Sequence, residues 1–287
     1  LALYGMGYCC FSRKSYMESF GFFNQLATSP LVAHVDNTTL ADTYIRIGDC
    51  YYQARQYRNA ENAYNQALDA DHTIADYAVY QKAFAQGLSG RYSDKVGTLS
   101  YLIENFPHSD YVDDAMYEKG RAYVQMNNSA SAISTFETLL HQFPKSGYAP
   151  KAGNEIGLIH YQNNQVNEAI KAYKKVIAEY PGSEQAHVAM RDLKNLYVEE
   201  NMVDEYVMYA SQTKGMVAVE VSEHDSLAYK AAEIAYIGGD NQKAAEGFEK
   251  YLTQFAQGAY AVDAQYYLGC IYHKQNKFDR AMDLLHQ

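Results

Sequence analysis

Three prolines, Pro107, Pro144 and Pro181, stand 37 residues apart, and the residues before each of them repeat in register. Counting back from the proline, an aromatic lies eight residues earlier (Phe136, Tyr173), an alanine twelve earlier (Ala132, Ala169) and a glycine twenty-four earlier (Gly120, Gly157). The same frame fits Gly48, Tyr51, Ala60 and Tyr64 upstream, and Ala244, Phe248, Gly269, Tyr272 and Ala281 downstream. Gly7, Ser19 and Phe23 form a weaker first copy. A period of this size constrains a chain more than any local propensity, because such a unit buries its apolar face only by stacking on its neighbours.

The spacing has a physical cause. A glycine on one helix and an alanine on the next let two antiparallel helices approach closely, and the aromatics fill the adjoining holes. The proline lacks an N–H and restricts the residue before it, so it stops the second helix. Each unit therefore reads as helix, turn, helix, stop. The expected fold is all-α, a right-handed superhelical solenoid of antiparallel helix pairs. One domain, 1–287, holds about eight units beginning near residues 1, 41, 76, 113, 150, 187, 225 and 262, the last of them truncated.

Departures from the frame mark the units that depend on tertiary packing. Lys95 occupies the alanine place, and His72 and Ala256 the proline place. Between residues 197 and 222 the pattern nearly fails: Tyr206 stands where alanine is expected, and Val217-Ala218-Val219-Glu220-Val221 alternates as a short strand would. An irregular or kinked unit is expected there.

Composition excludes several classes of function. The net charge is −10, so no basic face is available to neutralise phosphates, and nucleic acid is not expected as a partner. No apolar run approaches the ~20 residues that cross a bilayer. No secretory leader is visible, and a first residue of Leu rather than Met suggests a piece of a longer chain. Cys9, Cys10, Cys50 and Cys270 match neither a disulfide framework nor a metal pattern and read as small buried hydrophobes. There is no GxxxxGK[ST], HExxH or GxSxG, and Gly5-Met6-Gly7 lacks the third glycine of a dinucleotide site. The histidines are scattered singly, and the acidic pairs Asp113-Asp114 and Glu199-Glu200 read as solvated charge at helix starts and on exposed faces. No catalytic residue, metal ligand or cofactor is expected.

The unusual residue is tyrosine, 29 of them with no tryptophan. Tyr51, Tyr123 and Tyr272 fill the aromatic packing place of the first helix, and Tyr64 and Tyr173 that of the second. Others fall outside that role. Tyr80, Tyr117, Tyr229 and Tyr266 stand twenty-seven residues before the unit end, and Tyr52, Tyr161 and Tyr236 stand twenty before it. The two places are seven residues, or two helical turns, apart, so both project onto one face of the first helix. First helices of such arrays line the concave surface, which makes these tyrosines, with Arg121 beside Tyr117, the candidate partner-binding stripe.

The repeated pattern resembles the tetratricopeptide repeat, whose frame is a small residue in the first helix, alanine and aromatic in the second, and a terminal proline. The longer period and the ends Phe106-Pro107-His108-Ser109, Phe143-Pro144-Lys145-Ser146 and Tyr180-Pro181-Gly182-Ser183 resemble bacterial cell-envelope members such as outer-membrane-assembly lipoproteins. The resemblance implies a non-catalytic scaffold that takes a partner peptide or helix in a tyrosine-lined concave groove, placed in the periplasm or at the outer membrane, otherwise in the cytoplasm. Two alternatives stand beside it: a structural spacer or self-associating segment of a larger envelope protein, and, with less support, a helical-repeat enzyme. The Lys and Asn clamp with which some members hold a C-terminal carboxylate is not reproduced. Only Arg191 and Asn195 have a comparable spacing.

Overall fold

The computed structural model describes residues 2–213 and 219–285, and all regular structure among them is helical. The helices come in pairs. α1 (Ala2–Ser12) and α2 (Tyr16–Thr28) form the first, α3 (Asn37–Gln53) and α4 (Tyr57–Ala70) the second, α5 (Asp76–Leu88) and α6 (Tyr92–Asn105) the third, and α7 (Val112–Gln125) and α8 (Ser129–Gln142) the fourth. There follow α9 (Ala149–Gln162) with α10 (Val166–Glu179), α11 (Glu184–Glu199) with α12 (Val203–Gln212), α13 (Val221–Ile237) with α14 (Asn241–Gln254), and α15 (Ala261–Lys274) with α16 (Phe278–Leu285). Short 3-10 turns, Pro30–His34 and His72–Ile74, precede α3 and α5.

A single backbone device makes each hairpin. Two residues before the second helix the chain turns through the left-handed region, at Lys14, Arg55, Gly90, Asn127, Asn164, Asn201, Gly239 and Asn276, with φ between 55° and 84°. That conformation ends the first helix and lets the next run back along it. Glycine and asparagine, which enter it most easily, fill six of these places.

The chain divides into two compact units, Leu1–Ile159 and His160–Gln287. In the first, consecutive helices from α1 to α8 pack on one another. Its core includes the cluster of Ile45, Ala60, Tyr64, Ala67 and Ala78 and the smaller one of Phe23, Ile47 and Ala63. The second unit has one core built on Ala169, Tyr173, Leu193, Leu196 and Tyr206 and another on Ala232, Ala244, Phe248, Leu268 and Ile271.

The repeated glycine also has a second job. At Gly7, Gly48 and Gly120 it lies under the aromatic ring of the second helix, sixteen residues on. A Cβ added at Gly7, Gly48 or Gly120 would fall closer than 3.0 Å to the ring of Phe23, Tyr64 or Phe136. The ring enters the first helix at the one place without a side chain, which is why glycine and aromatic recur together.

The serine of the Pro-x-Ser ends also acquires a role. Ser109 donates from Oγ to Asp76 (2.7 Å) and Ser146 to Asp113 (2.5 Å), tying the end of each pair to the start of its own first helix. Ser183 instead caps α11, accepting from the Ala186 N–H at 3.1 Å.

Around residue 206 the irregular unit appears as a short α12 of ten residues. Of the stretch expected to alternate as a strand, residues 217 and 218 lie outside the described residues, and Val221 opens helix α13. Cys9 is exposed and Cys270 half-buried, so only Cys10 and Cys50 behave as the buried hydrophobes expected of all four.

Candidate functional site

On the first helices of the first unit, tyrosines and carboxylates interlock. Tyr80 on α5 donates to Asp114 on α7 (3.1 Å), and its ring stacks on Tyr111 with centroids 4.9 Å apart. Tyr117, one period later on α7, meets Tyr148 at 5.1 Å and donates weakly to Glu155 on α9 (3.4 Å). Tyr148 also bonds to Asp114, which therefore takes two phenols. Arg121 lies 6.0 Å from the Tyr117 ring and pairs with Glu118 (3.3 Å), yet keeps 53% of its side chain in solvent.

The same construction continues toward the start of the chain. Tyr4 and Tyr8 on α1 donate to Asp42 on α3. Arg46, one turn along α3, binds Asp42 (3.2 Å), Asp49 (2.7 Å) and the Tyr8 hydroxyl (3.0 Å), and its guanidinium sits over the rings of Tyr8, Phe11 and Tyr77. Asp49 accepts in turn from Tyr64 (2.9 Å) and Tyr77 (3.3 Å). Burial raises the Asp49 carboxyl above its ordinary range in spite of the Arg46 charge and these bonds.

Burial and neighbouring carboxylates together raise these tyrosines above their ordinary range. Burial pushes Tyr117 up to about 12, with the charge of Glu155 adding to it. The hydrogen bond to Asp114, then burial, pushes Tyr148 up to about 12 as well. Tyr80 and Tyr111 are raised by burial first and by nearby carboxylates second. The phenols stay protonated and donate.

The other tyrosines of the candidate stripe have different surroundings. Tyr52 is half-buried, its ring 5.7 Å from Tyr57 across the hairpin turn. Tyr161, in the second unit, is exposed and donates to Glu199. Tyr229 is buried at 7% exposure, stacked on Tyr260 at 4.6 Å with its hydroxyl on Glu233 (3.2 Å). Tyr236 packs on Tyr267 at 4.9 Å. Tyr266, 58% exposed, borders an apolar pocket of about 490 Å³ with Cys270, Phe278 and Met282. The structure thus brings Tyr80, Tyr117 and Arg121 into one face and places Tyr229 in the core.

The carboxylates read as solvated charge have partners within the chain. Asp113 holds Ser146, Asp114 holds Tyr80 and Tyr148, Glu199 holds Tyr161, and Glu200 pairs with Lys243 at 3.1 Å. Glu199 ends α11 rather than beginning a helix. Sequence reasoning also passed over Asp42, Arg46 and Asp49. A signal for the face was present: the bonded acid follows its tyrosine by 34 residues (Tyr8 and Asp42, Tyr80 and Asp114) or by 38 (Tyr4 and Asp42, Tyr117 and Glu155, Tyr161 and Glu199). In the 37-residue units, those of Tyr80, Tyr117 and Tyr161, the offsets are one repeat displaced by less than a turn either way.

Chemically the face offers phenol, carboxylate and guanidinium groups for hydrogen bonds and cation–π contacts. Among the described residues no group of three or more His, Cys, Asp or Glu is placed to hold a metal ion. No helix among them is long and apolar enough to cross a membrane.

Comparison with known proteins agrees with the helical-repeat fold. Tetratricopeptide repeat profiles match residues 41–72, 117–184 and 263–287. The C-terminal part of a repeat-containing protein from Cytophaga hutchinsonii superposes with a TM-score of 0.56 at 18% identity, covering 98% of this chain and 99% of that one. A tetratricopeptide repeat protein from Parabacteroides merdae gives 0.53 at 15% identity, covering 94% and 97%. At these identities the likeness is one of fold. Comparison with curated proteins found no match.

Proposed function

Because this chain belongs to the tetratricopeptide-repeat family, we propose that it is a non-catalytic scaffold that holds a segment of a partner protein on the first-helix face of α5, α7 and α9. The observation that carries this reading is the interlocked set Tyr80, Tyr111, Tyr117, Tyr148 and Asp114, in which Asp114 is met by phenols. Aromatic surface beside carboxylates binds cations, as Arg121 at 6.0 Å from the Tyr117 ring and Lys151 at 4.9 Å from the Tyr148 ring do within the chain, and the net charge of −10 adds a favourable long-range field. The segment is therefore cationic, carrying Lys or Arg.

The test uses fluorescein-labelled peptides rich in Lys and Arg, titrated against the native chain and against an Asp114→Asn, Tyr148→Phe variant whose folding is checked by circular dichroism. Expected is binding that weakens from low to physiological salt and falls at least about tenfold in the folded variant, roughly 1.4 kcal/mol. Equal binding of uncharged peptides, or indifference to both salt and substitution, would sink the reading.

One observation favours the spacer alternative. The phenols that reach Asp114 and Glu155 bridge successive first helices and so stiffen the array. If Tyr80→Phe with Tyr117→Phe lowers the melting temperature while leaving peptide binding untouched, these hydroxyls serve rigidity alone. The Pro-x-Ser ends extend the proposal to a place in a bacterial envelope, to be checked by fractionating source cells and probing each fraction with an antibody.

A further inference from the structure

A second recess lies away from the tyrosine and carboxylate face, between α2, α3 and α4, with a volume of about 270 Å³. Its floor is apolar, built from Ala27, Ile47 and Ala63, the last two buried in the core. Its walls carry amides. Asn59, Asn62 and Gln66 lie along α4, and Asn24 with Thr28 lies on α2 opposite. No lining residue is charged, in a chain of which a fifth of the residues are.

The amides are available. Asn59 donates to Gln56 (2.9 Å), and among the described residues the side-chain amides of Asn24, Asn62 and Gln66 make no hydrogen bond. They are exposed, so water holds them in the free chain. Each amide offers a carbonyl acceptor and two donors, which matches a peptide group with its one N–H and one C=O. Residues 59 to 66 advance about 10 Å along the helix, the length of about three residues of extended chain. Donors and acceptors on both walls can then serve both edges of one extended strand, while the floor takes an alternate side chain.

We propose that this cleft binds an uncharged, extended peptide segment by its backbone. It is a binding site separate from the cationic-segment face. A charged side chain brought here would lose water without meeting an opposite charge. A neutral sugar would also suit amides, but it needs an open aromatic face. Tyr51 gives its ring to Phe20 at 4.9 Å, and Tyr44 packs into the clusters on both sides of α3.

The experiment is selection of a random dodecapeptide phage library on the whole chain, followed by fluorescence titration of the enriched peptides. Parallel titrations use an Asn62→Asp, Gln66→Glu variant and the Asp114→Asn, Tyr148→Phe variant. Asn62 and Gln66 are exposed and Asp114 and Tyr148 half-buried, and melting curves confirm folding. Expected are peptides with an uncharged run of at least three residues, bound about tenfold more weakly by the first variant and unchanged by the second, with shallow salt dependence. Enrichment of nothing, or of peptides that the first variant binds equally well, overturns the site. So does selective binding of neutral chito- or malto-oligosaccharides displaced by the first variant's substitutions. Loss of binding only in the second variant assigns the peptide to the tyrosine face and overturns this cleft, while leaving the cationic-segment reading intact.

Discussion

Lys95 in the first unit and Tyr206 in the second stand at the same place in the repeat, where Ala60, Ala132, Ala169 and Ala244 are fully buried elsewhere. Both are buried too, at 7% and 1% exposure, so the close approach of the helices has accepted a large side chain in each case. The two regions accept it differently. Beside Lys95, Gly87 replaces the tyrosine of this register (Tyr52, Tyr161, Tyr236), and the lysine stem lies over it, 3.0 Å from where a Cβ would be. The ammonium then reaches Glu118 on α7 and sits 4.9 Å from the Phe84 ring. Around Tyr206 the residues are exchanged instead. Ala210 holds the aromatic place, and Lys194 holds the glycine place that a ring would have needed. The large ring has moved back one turn, to 6.4 Å from Tyr197. Each replacement comes with a matching loss of volume nearby, as a close-packed interior requires.

Tyr206→Ala tests the exchanged region most severely. It removes a fully buried ring and should cost about 3–5 kcal/mol, measured by urea unfolding. Tyr206→Ala with Ala210→Tyr restores the usual order of residues but places the ring opposite Lys194, so it should recover little of that loss. Recovery of most of it would show that the glycine place is not what displaced the ring.

The Lys95 region answers to charge. Glu118→Ala leaves a buried ammonium without its partner, at a cost of about 3 kcal/mol or more, whereas Lys95→Met keeps the stem over Gly87 and should be neutral or stabilising. Equal damage from both substitutions would mean that the pair acts through packing and not through charge.

The hairpins were legible because their signal is periodic. Gly120, Ala132, Phe136 and Pro144 recur at fixed spacing, and one steric relation, a ring over a missing side chain, produces the recurrence. What lay hidden was compensation, which is not periodic. Gly87 is informative only once Lys95 is known to lie over it. The tyrosine stripe was half legible for the same reason. Register placed Tyr80 and Tyr117 on one face, but it could not show that Tyr229, stacked on a tyrosine as Tyr80 is, lies in the core at 7% exposure while they are half-buried. Their acids had to be sought one repeat further on.

A smaller effect separates the tyrosine and carboxylate face from the rest of the molecule. Tyr117 and Tyr148 titrate in the folded chain near about 12, against about 10 in an unfolded one. Folding favours the protonated phenol, so the stability they supply is complete below about pH 10 and is lost as pH rises through about 12. Urea midpoints taken between those limits should fall in the native chain and fall less in Tyr117→Phe with Tyr148→Phe. Parallel curves would place the alkaline loss in other tyrosines, Tyr251 among them.

The smallest expected effect concerns what the two regions keep in common. Both hairpins turn through the left-handed region two residues before the second helix, at Gly90 (φ 72°) and Asn201 (φ 58°). Glycine adopts that backbone without steric penalty, so Gly90→Ala should cost about 1 kcal/mol. Asparagine already carries most of the Cβ penalty and offsets part of it by local hydrogen bonding, so Asn201→Ala should cost only a few tenths of a kcal/mol. The ratio is the test. If the two alanine variants lose equal stability in urea unfolding, the asparagine side chain holds its turn by more than conformational tolerance, and the exchanged region is stabilised at its turn as well as at Tyr206.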